Sequence, residues 1–380
     1  RNRRKWIYVL LLMGLLGLSG CGSPSSASVE MSSQTELVKT GSMELQYAEN
    51  FAVDYYEDGY KMLTTLPDSK RYLLVPEGQP VPKGLDEDVS ILQEPLQNIY
   101  LVASGVMDMF ASVDAVDQIR FSGQKQENWY IQTAKDAMAA GDMIYAGKYS
   151  KPDYELLVSE GCDLAIENRM ITHSPEVVEM LQSFDIPVMI EYSSYEQHPL
   201  GKVEWVKFFG ALTGKEAEAE EAFAEQTEIL EKVESGEKTG KTIAFFYVTS
   251  NGLIQVRQST DYIPKLIELA GGRYIFEDLE DSGSGRSTLN MQVEDFYAGA
   301  KDADILIYNS SIDGGVTTLD ELIGKCNILK DFKALQEGQV YCTTNDMYQQ
   351  SMAIGYLLQD MHTVLTDDDT AKLRYLFLLQ

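Results

Sequence analysis

The stretch at residues 200–235, LGKVEWVKFFGALTGKEAEAEEAFAEQTEILEKVES, divides the chain into two parts of similar grammar. From Glu216 onward it is rich in Ala and Glu, both strong helix formers, and Ala219, Phe223, Leu230 and Val233 fall on one face at helical spacing. One long helix is expected over 216–233. Before it, Val206, Phe209 and Leu212 read as an earlier helix turned inward, with Gly214 as its stop. A core helix inside one domain would show the same periodicity. Strand-rich segments both precede and follow the stretch, however, so it is expected to connect two lobes.

Upstream, residues 98–103 (NIYLVA), 119–121, 143–145, 163–167 (DLAIE) and 186–191 (IPVMIE) read as short strands. Helices are expected at 106–113, 129–140, 154–159 and 175–184, the third with Pro152 near its first turn. Such alternation predicts a parallel sheet covered by helices on both faces. Residues 43–77 instead alternate apolar and polar side chains, with turns at Glu57-Asp58-Gly59 and Pro67-Asp68. That is the pattern of β-hairpins, expected at the edge of the first lobe, with 78–95 as a Pro- and Gly-containing connection. Downstream, strands are expected at 242–249, 254–257, 304–308 and, last, 339–343, with helices at 261–270, 293–300 and 348–365. The fold class is therefore α/β: two Rossmann-like lobes with mostly parallel sheets, at 41–199 and 237–380, joined by a helical connector at 200–236 and enclosing a cleft.

The first residues bear on compartment. A basic run, Arg1 to Lys5, precedes an apolar run at 6–18, and Leu18-Ser19-Gly20-Cys21 then matches a bacterial lipobox. A signal peptide at 1–20 and lipidation of Cys21 are expected. The apolar run is shorter than the roughly 20 residues that span a bilayer. Because the sequence starts on Arg1 and not on Met, a residue or more of the leader is expected to be missing. The Ser-rich residues 21–40 read as a flexible tether.

A formal charge of -28 argues against nucleic acid or an anionic lipid surface as partner and suits a basic docking partner. Beyond Cys21 the cysteines are Cys162, Cys326 and Cys342, an odd and widely spaced set that is neither a disulfide framework nor a zinc site. A Cys326–Cys342 bridge stays open, with free buried thiols the favoured reading. His173, His198 and His362 lack metal-ligand spacing; His173 is a weak candidate near the cleft, and His198 is expected to cap a helix. No metal site is expected from side chains alone. There is no GxSxG, HExxH, P-loop or GxGxxG after a strand, and SGSGR at 282–286 reads as a surface turn, so no enzyme is expected.

Open α/β sheets bind ligands just past the carboxyl ends of their strands. Those positions hold Ser104, Met107, Trp129, Lys148, Tyr149, Arg169 and Tyr195 in the first half, and Tyr247, Asn251, Arg257, Arg286 and Tyr348 in the second. Aromatics with scattered cations, in so acidic a chain, suit an organic ligand carrying negative charge. Any single Tyr is equally well a packing residue and any single Arg a surface ion pair; the set carries the signal. Glu155 and Glu294 begin equivalent helices, in DYELLVSEGCDLAIE and MQVEDFYAGAKDADILIY. Each either complements a helix dipole, worth about 0.3–1 kcal/mol, or meets a partner.

The segments KPDYELL leading to CDLAIEN, SFDIPVMIEYSSYEQHPLGKVEWVKFFGALTGKEAEAEEAF, QSTDYIPKLIELAGGRYIF and VEDFYAGAKDADILIYNSS resemble the substrate-binding lipoproteins of ABC importers for iron-siderophores, heme and vitamin B12. The resemblance covers nearly the whole chain after the tether. It implies the class III periplasmic-binding-protein fold and a monomeric receptor without catalysis, held outside the cytoplasm, at the cell surface or in the periplasm, by lipidated Cys21. It implies an ABC permease dimer with its ATPase as partner and no permanently bound cofactor. The implied ligand is a ferric siderophore or similar metal chelate, with heme and cobalamin as alternatives, and Glu155 and Glu294 are the implied permease-docking residues. One rigid connector implies a modest closure on binding. Residues 43–95 depart from the family pattern. Two readings from other classes remain: a lipid-anchored enzyme, for example pairing Ser104 with His173, and a structural or sensory lipoprotein whose cleft takes a protein.

Overall fold

The computed structural model describes residues 36–279, 287–312, 315–367 and 370–380. Cys21, Arg286 and the SGSGR segment lie outside the described residues. The alternating residues near the start form strands, but in a separate five-stranded sheet: β1 (Lys39–Ser42), β2 (Phe51–Tyr56), β3 (Lys61–Thr65), β4 (Lys70–Val75) and β5 (Val89–Gln93), in that spatial order. Neighbours are antiparallel except β4 and β5, which run parallel. The expected turn at Glu57–Gly59 joins β2 to β3, with Asp58 at φ 59° and Gly59 at φ 85°. The segment expected to be a plain connection contains β5.

The first lobe runs β6 (Ile99–Leu101), α1 (Met107–Ser112), β7 (Ile119–Ser122), α2 (Gln132–Ala140), β8 (Ile144–Tyr145), a small hairpin of β9 (Gly147–Lys148) and β10 (Lys151–Pro152), α3 (Tyr154–Ser159), β11 (Leu164–Glu167), α4 (Pro175–Ser183) and β12 (Val188–Ile190). Its sheet has the order β12-β11-β6-β7-β8, every neighbouring pair parallel, as the alternation predicts. Trp129 precedes α2, which starts at Gln132.

The connector is two helices, α5 (Pro199–Thr213) and α6 (Glu216–Glu234). α5 is apolar around nearly its whole circumference and correspondingly buried. Phe51 of β2 packs on Trp205 and Phe208, with ring centroids 4.9 and 5.4 Å apart, and Phe209 meets Phe110 of α1 at 5.6 Å. α5 is thus a core helix between the amino-terminal sheet and α1 as well as the start of the connector. Gly214, at φ 72°, ends it in the left-handed conformation expected of a stop glycine. Gly210 lets the helices close: a Cβ there would lie 2.5 Å from that of Ala219.

The second lobe contains β13 (Thr242–Val248), β14 (Ile254–Arg257), α7 (Tyr262–Leu269), β15 (Arg273–Tyr274), β16 (Thr288–Met291), α8 (Val293–Ala300), β17 (Ile305–Tyr308), α9 (Leu319–Lys325), α10 (Lys333–Gln336), β18 (Val340–Thr343), α11 (Ile354–Thr366) and β19 (Leu376–Leu378). The sheet order is β16-β14-β13-β17-β18-β19, parallel at the centre and antiparallel at both edges, with β15 beside β13. Two expectations are corrected: β18 is followed by β19, and α11 begins at Ile354, leaving Tyr348 in the preceding loop.

Buried carboxylates tie the ends of the chain to this frame. Glu204 of α5, with no exposed surface, accepts the N–H groups of Gln46, Tyr47 and Ala48 at 2.8–3.1 Å. Glu196 accepts those of Glu49 and Asn50 and the indole N–H of Trp205. Asp360 of α11 takes the N–H groups of Arg374, Tyr375 and Leu376 and so holds β19 in place. Each loop wraps an anion in successive backbone donors. One apolar cluster then runs from Phe51 and Leu101 through α5 and α6 to Phe245 and Leu358, while the outer faces of the lobes have clusters of their own.

Candidate functional site

The lobes face each other across a cavity of about 260 Å³. From the first lobe, Gly105 and Met109 line it past β6, and Glu191, Ser193 and Ser194 past β12. The connector adds Lys202, and the second lobe adds Arg257 at the end of β14, Asp261 and Tyr262 at the start of α7, and Tyr348. Strand ends and helix starts supply these groups, as expected of an α/β sheet.

Arg257 organises the second-lobe wall. Its guanidinium donates to the Tyr348 hydroxyl and lies 3.6 Å from the Asp261 carboxylate, with the Tyr348 and Phe245 rings 5.5 and 5.7 Å away. Burial works against its charge, yet Tyr348 and Asp261 hold its pKa above the ordinary value. Asn309 also donates to the Tyr348 hydroxyl, at 2.8 Å. Opposite, Lys202 in the first turn of α5 sits 4.5 Å over the Tyr262 ring and donates to the Ser193 carbonyl at 3.4 Å. Burial lowers its pKa, with Asp261 and Glu191 opposing that shift. Asp261 caps α7 by accepting the Ile263 N–H, and Glu191 accepts the Ser193 N–H.

Hydrogen bonds between the lobes join the first lobe to the segment leading into α11. Ser351 Oγ donates to the Gly105 carbonyl at 2.5 Å, and Asp108 of α1 accepts the Met352 N–H at 2.7 Å. Gln349 accepts the Tyr130 N–H and donates to the Asn128 carbonyl, both at 2.8 Å. Burial raises the Asp108 carboxyl to a pKa of about 6. Chemically, the arrangement suits an organic ligand held by aromatic faces and two cations.

Of the positions singled out from the sequence, Arg257 and Tyr348 stand on the cavity wall, and Ser104 adjoins Gly105. Arg169 lies 4.7 Å over the Tyr195 ring, which meets Tyr192 at 5.1 Å, beside Ser193 and Ser194. The others among the described residues are not brought to the cavity. Met107 and Trp129 have no exposed surface, and the Trp129 indole is spent on Ser122 Oγ at 3.0 Å; both are core residues here. Lys148 and Tyr149 belong to the β9–β10 hairpin region, where Tyr149 packs on the outer cluster. Tyr247 packs near Tyr308, at 6.2 Å, and Asn251 accepts the Thr249 hydroxyl in the β13–β14 turn. Sequence reading missed Lys202, Glu191, Asp261 and Tyr262. A signal existed for the first: charged residues at 202, 204 and 207 inside an otherwise apolar helix need partners or a cavity.

Glu155 and Glu294 are exposed in the first turns of α3 and α8. α3 leads into β11 and α8 into β17, and a helix feeding a parallel strand runs back along its sheet. Both first turns therefore lie at the level of the strands' carboxyl ends, where the cleft opens. His198 caps α5, its Nδ1 accepting the Leu200 N–H, and stacks on Tyr47 at 4.4 Å. His173 is exposed after β11, and His362 Nδ1 donates to the Ala270 carbonyl. Neither Ser104 nor His173 lines the cavity. Cys162, Cys326 and Cys342 are joined in no disulfide among the described residues. Among the described residues no group of three or more His, Cys, Asp or Glu side chains could hold a metal ion, and no helix is long and apolar enough to cross a membrane.

No family model matches the chain. Two uncharacterized lipoproteins of Methanocaldococcus jannaschii are similar along most of it: one is 24% identical over 94% of this chain and 92% of its own length, the other 23% identical over 91% and 90%. Among solved structures, a possible iron-binding (periplasmic solute-binding) protein of Staphylococcus epidermidis superposes with a TM-score of 0.55 at 16% identity, covering 71% of this chain and 98% of its own. The periplasmic heme binding protein HutB of Vibrio cholerae gives 0.56 at 14%, covering 70% and 98%. The periplasmic catecholate-siderophore binding protein VctP of the same organism gives 0.55 at 12%, covering 73% and 95%. These neighbours are matched almost whole, whereas more than a quarter of this chain has no counterpart in them. The all-parallel main sheet of the first lobe, the mixed sheet of the second, the helical connector and the cleft between the lobes give this chain the class III periplasmic-binding-protein fold.

Proposed function

We propose that the protein is an extracytoplasmic substrate-binding protein of an ABC importer, lipid-anchored at Cys21, that captures an iron-siderophore or related metal chelate and delivers it to a permease dimer powered by its ATPase. Heme or cobalamin is the alternative cargo of the same fold. The observation that carries this reading is the cavity between the lobes, walled by Gly105 and Glu191 of the first lobe, Lys202 of the connector, and Arg257, Tyr262 and Tyr348 of the second. Relatives named as lipoproteins and neighbours named for iron, heme and siderophore binding support it. In this reading 1–20 is the signal peptide, 21–40 the tether, 41–199 and 237–380 the lobes, and 200–236 the connector. Glu155 and Glu294 present acid to the permease from the two lobes, where complementary charge speeds docking. The protein acts as a monomer, turns nothing over and carries no permanent cofactor.

The test is absorbance and native mass spectrometry of the full chain in detergent, titrated with ferric siderophores, ferric citrate, heme and cobalamin. A coloured one-to-one complex with one class is the expected result. Failure to bind any of them, or chemical conversion of the bound solute, overturns the reading.

A further inference from the structure

We propose that Lys202 of the connector, acting with Arg257, reads an oxyanion on the cargo, and that the cargo is a compact anionic ferric chelate and not a porphyrin or a corrin. This rests on the receptor reading above and narrows it. Among the described residues Lys202 makes one hydrogen bond, to the Ser193 carbonyl at 3.4 Å, longer than the roughly 2.7–3.2 Å of a good N–H···O contact. An ammonium has three donors, so the remaining ones are available to a ligand. The Tyr262 ring beneath it offers only its face.

The nearby acids are already engaged by the fold. Glu191 accepts the Ser193 N–H, and Asp261 caps α7 and pairs with Arg257. Glu196 is committed to Glu49, Asn50 and Trp205. The charges of these acids oppose the burial that lowers the Lys202 pKa, but among the described residues none of them hydrogen-bonds or ion-pairs with the ammonium, whose donors are therefore open to an incoming anion. Arg257 lines the same cavity, held by Tyr348 and Asp261, and supplies the second positive group.

Size points the same way. The cavity, at about 260 Å³, lies below the roughly 300–1,000 Å³ of pockets for drug-sized ligands. It reaches Ser351 and Ile354 at the start of α11, and the bonds of Ser351 to Gly105, Met352 to Asp108, and Gln349 to Tyr130 and Asn128 hold that wall to the first lobe. A cavity of this volume suits a compact chelate better than a flat macrocycle.

The experiment titrates the full chain in detergent with ferric citrate, the ferric complex of a neutral trihydroxamate, heme and cobalamin, for wild type, Lys202→Met and Lys202→Arg, with circular dichroism to check folding. Wild type is expected to bind ferric citrate in preference to the other three. Lys202→Met is expected to lose about tenfold or more in affinity, as for one charge-assisted hydrogen bond, with Lys202→Arg losing less. Preference for heme, cobalamin or the neutral trihydroxamate, or unchanged citrate affinity in Lys202→Met, overturns the proposal and leaves the receptor reading standing. No binding of any probe overturns both. Should Lys202→Met fail to fold, wild-type citrate affinity that does not fall with salt overturns the proposal.

Discussion

The carboxylate of Asp108, on α1 of the first lobe, accepts the backbone N–H of Met352 in the second lobe at 2.7 Å, so one side chain of one lobe caps the entry to α11 of the other. Burial raises its pKa from 3.8 to about 6. A raised carboxyl favours the protonated form in the folded state: its stabilising contribution is full below pH 3.8 and is lost as pH rises through about 6. Asp108→Asn keeps an acceptor for Met352 and removes the titration. Relative to wild type, its stability is expected to improve by roughly 2 kcal/mol between pH 4 and pH 7, read from denaturant midpoints across that range.

Glu167, the last residue of β11, has no exposed surface, and neither carboxyl oxygen has a hydrogen-bond partner among the described residues. Burial raises its pKa from 4.5 to about 8. Stability from this group is complete below pH 4.5 and lost on the way to pH 8. Glu167→Met fills the same space with no proton to lose. It is expected to be more stable than wild type by roughly 3 kcal/mol at pH 7, with the gap shrinking toward pH 4; a gap independent of pH would contradict the assignment.

Glu204→Ala leaves three backbone N–H groups without their carboxylate and the buried Lys207 ammonium with Glu220 as its remaining ion-pair partner. A loss of roughly 3–5 kcal/mol is expected, as for breaking a buried charged network. Hydrogen exchange should show residues 44–50 deprotected before either lobe opens. Glu204→Gln, which keeps one acceptor oxygen, is expected to fall between the two.

Glu155→Ala combined with Glu294→Ala removes two exposed carboxylates outside the cavity. Ligand affinity is expected to stay within twofold of wild type, while uptake by cells carrying the permease falls at least tenfold. Uptake equal to wild type would return both residues to a plain helix-dipole role, worth about 0.3–1 kcal/mol each.

The strand–helix alternation of the first lobe and the stop at Gly214 were legible because both are local: apolar runs of strand length, and a left-handed turn that favours glycine. β5 was not, since its partner is β4 across an intervening loop and a parallel pair leaves no hairpin signature. Only a small part of the candidate site was legible. Arg257 and Tyr348 sit where strand-end reasoning puts them, but the same rule cannot tell a side chain aimed at the cleft from one folded under it, and so it took in Met107 and Trp129. Lys202 escaped because a helix read as connector was not expected to line a cavity.

The grip of Glu196 and Glu204 on residues 44–50 has a mechanical side. Any tension arriving from the amino-terminal end enters the folded body through β1 and this loop, and the loop is fastened at α5 and just before it. That load is shared between the connector, through Glu204, and the first lobe, through Glu196, the pairing of β1 with β2 and the bond of Tyr72 to the Val188 carbonyl.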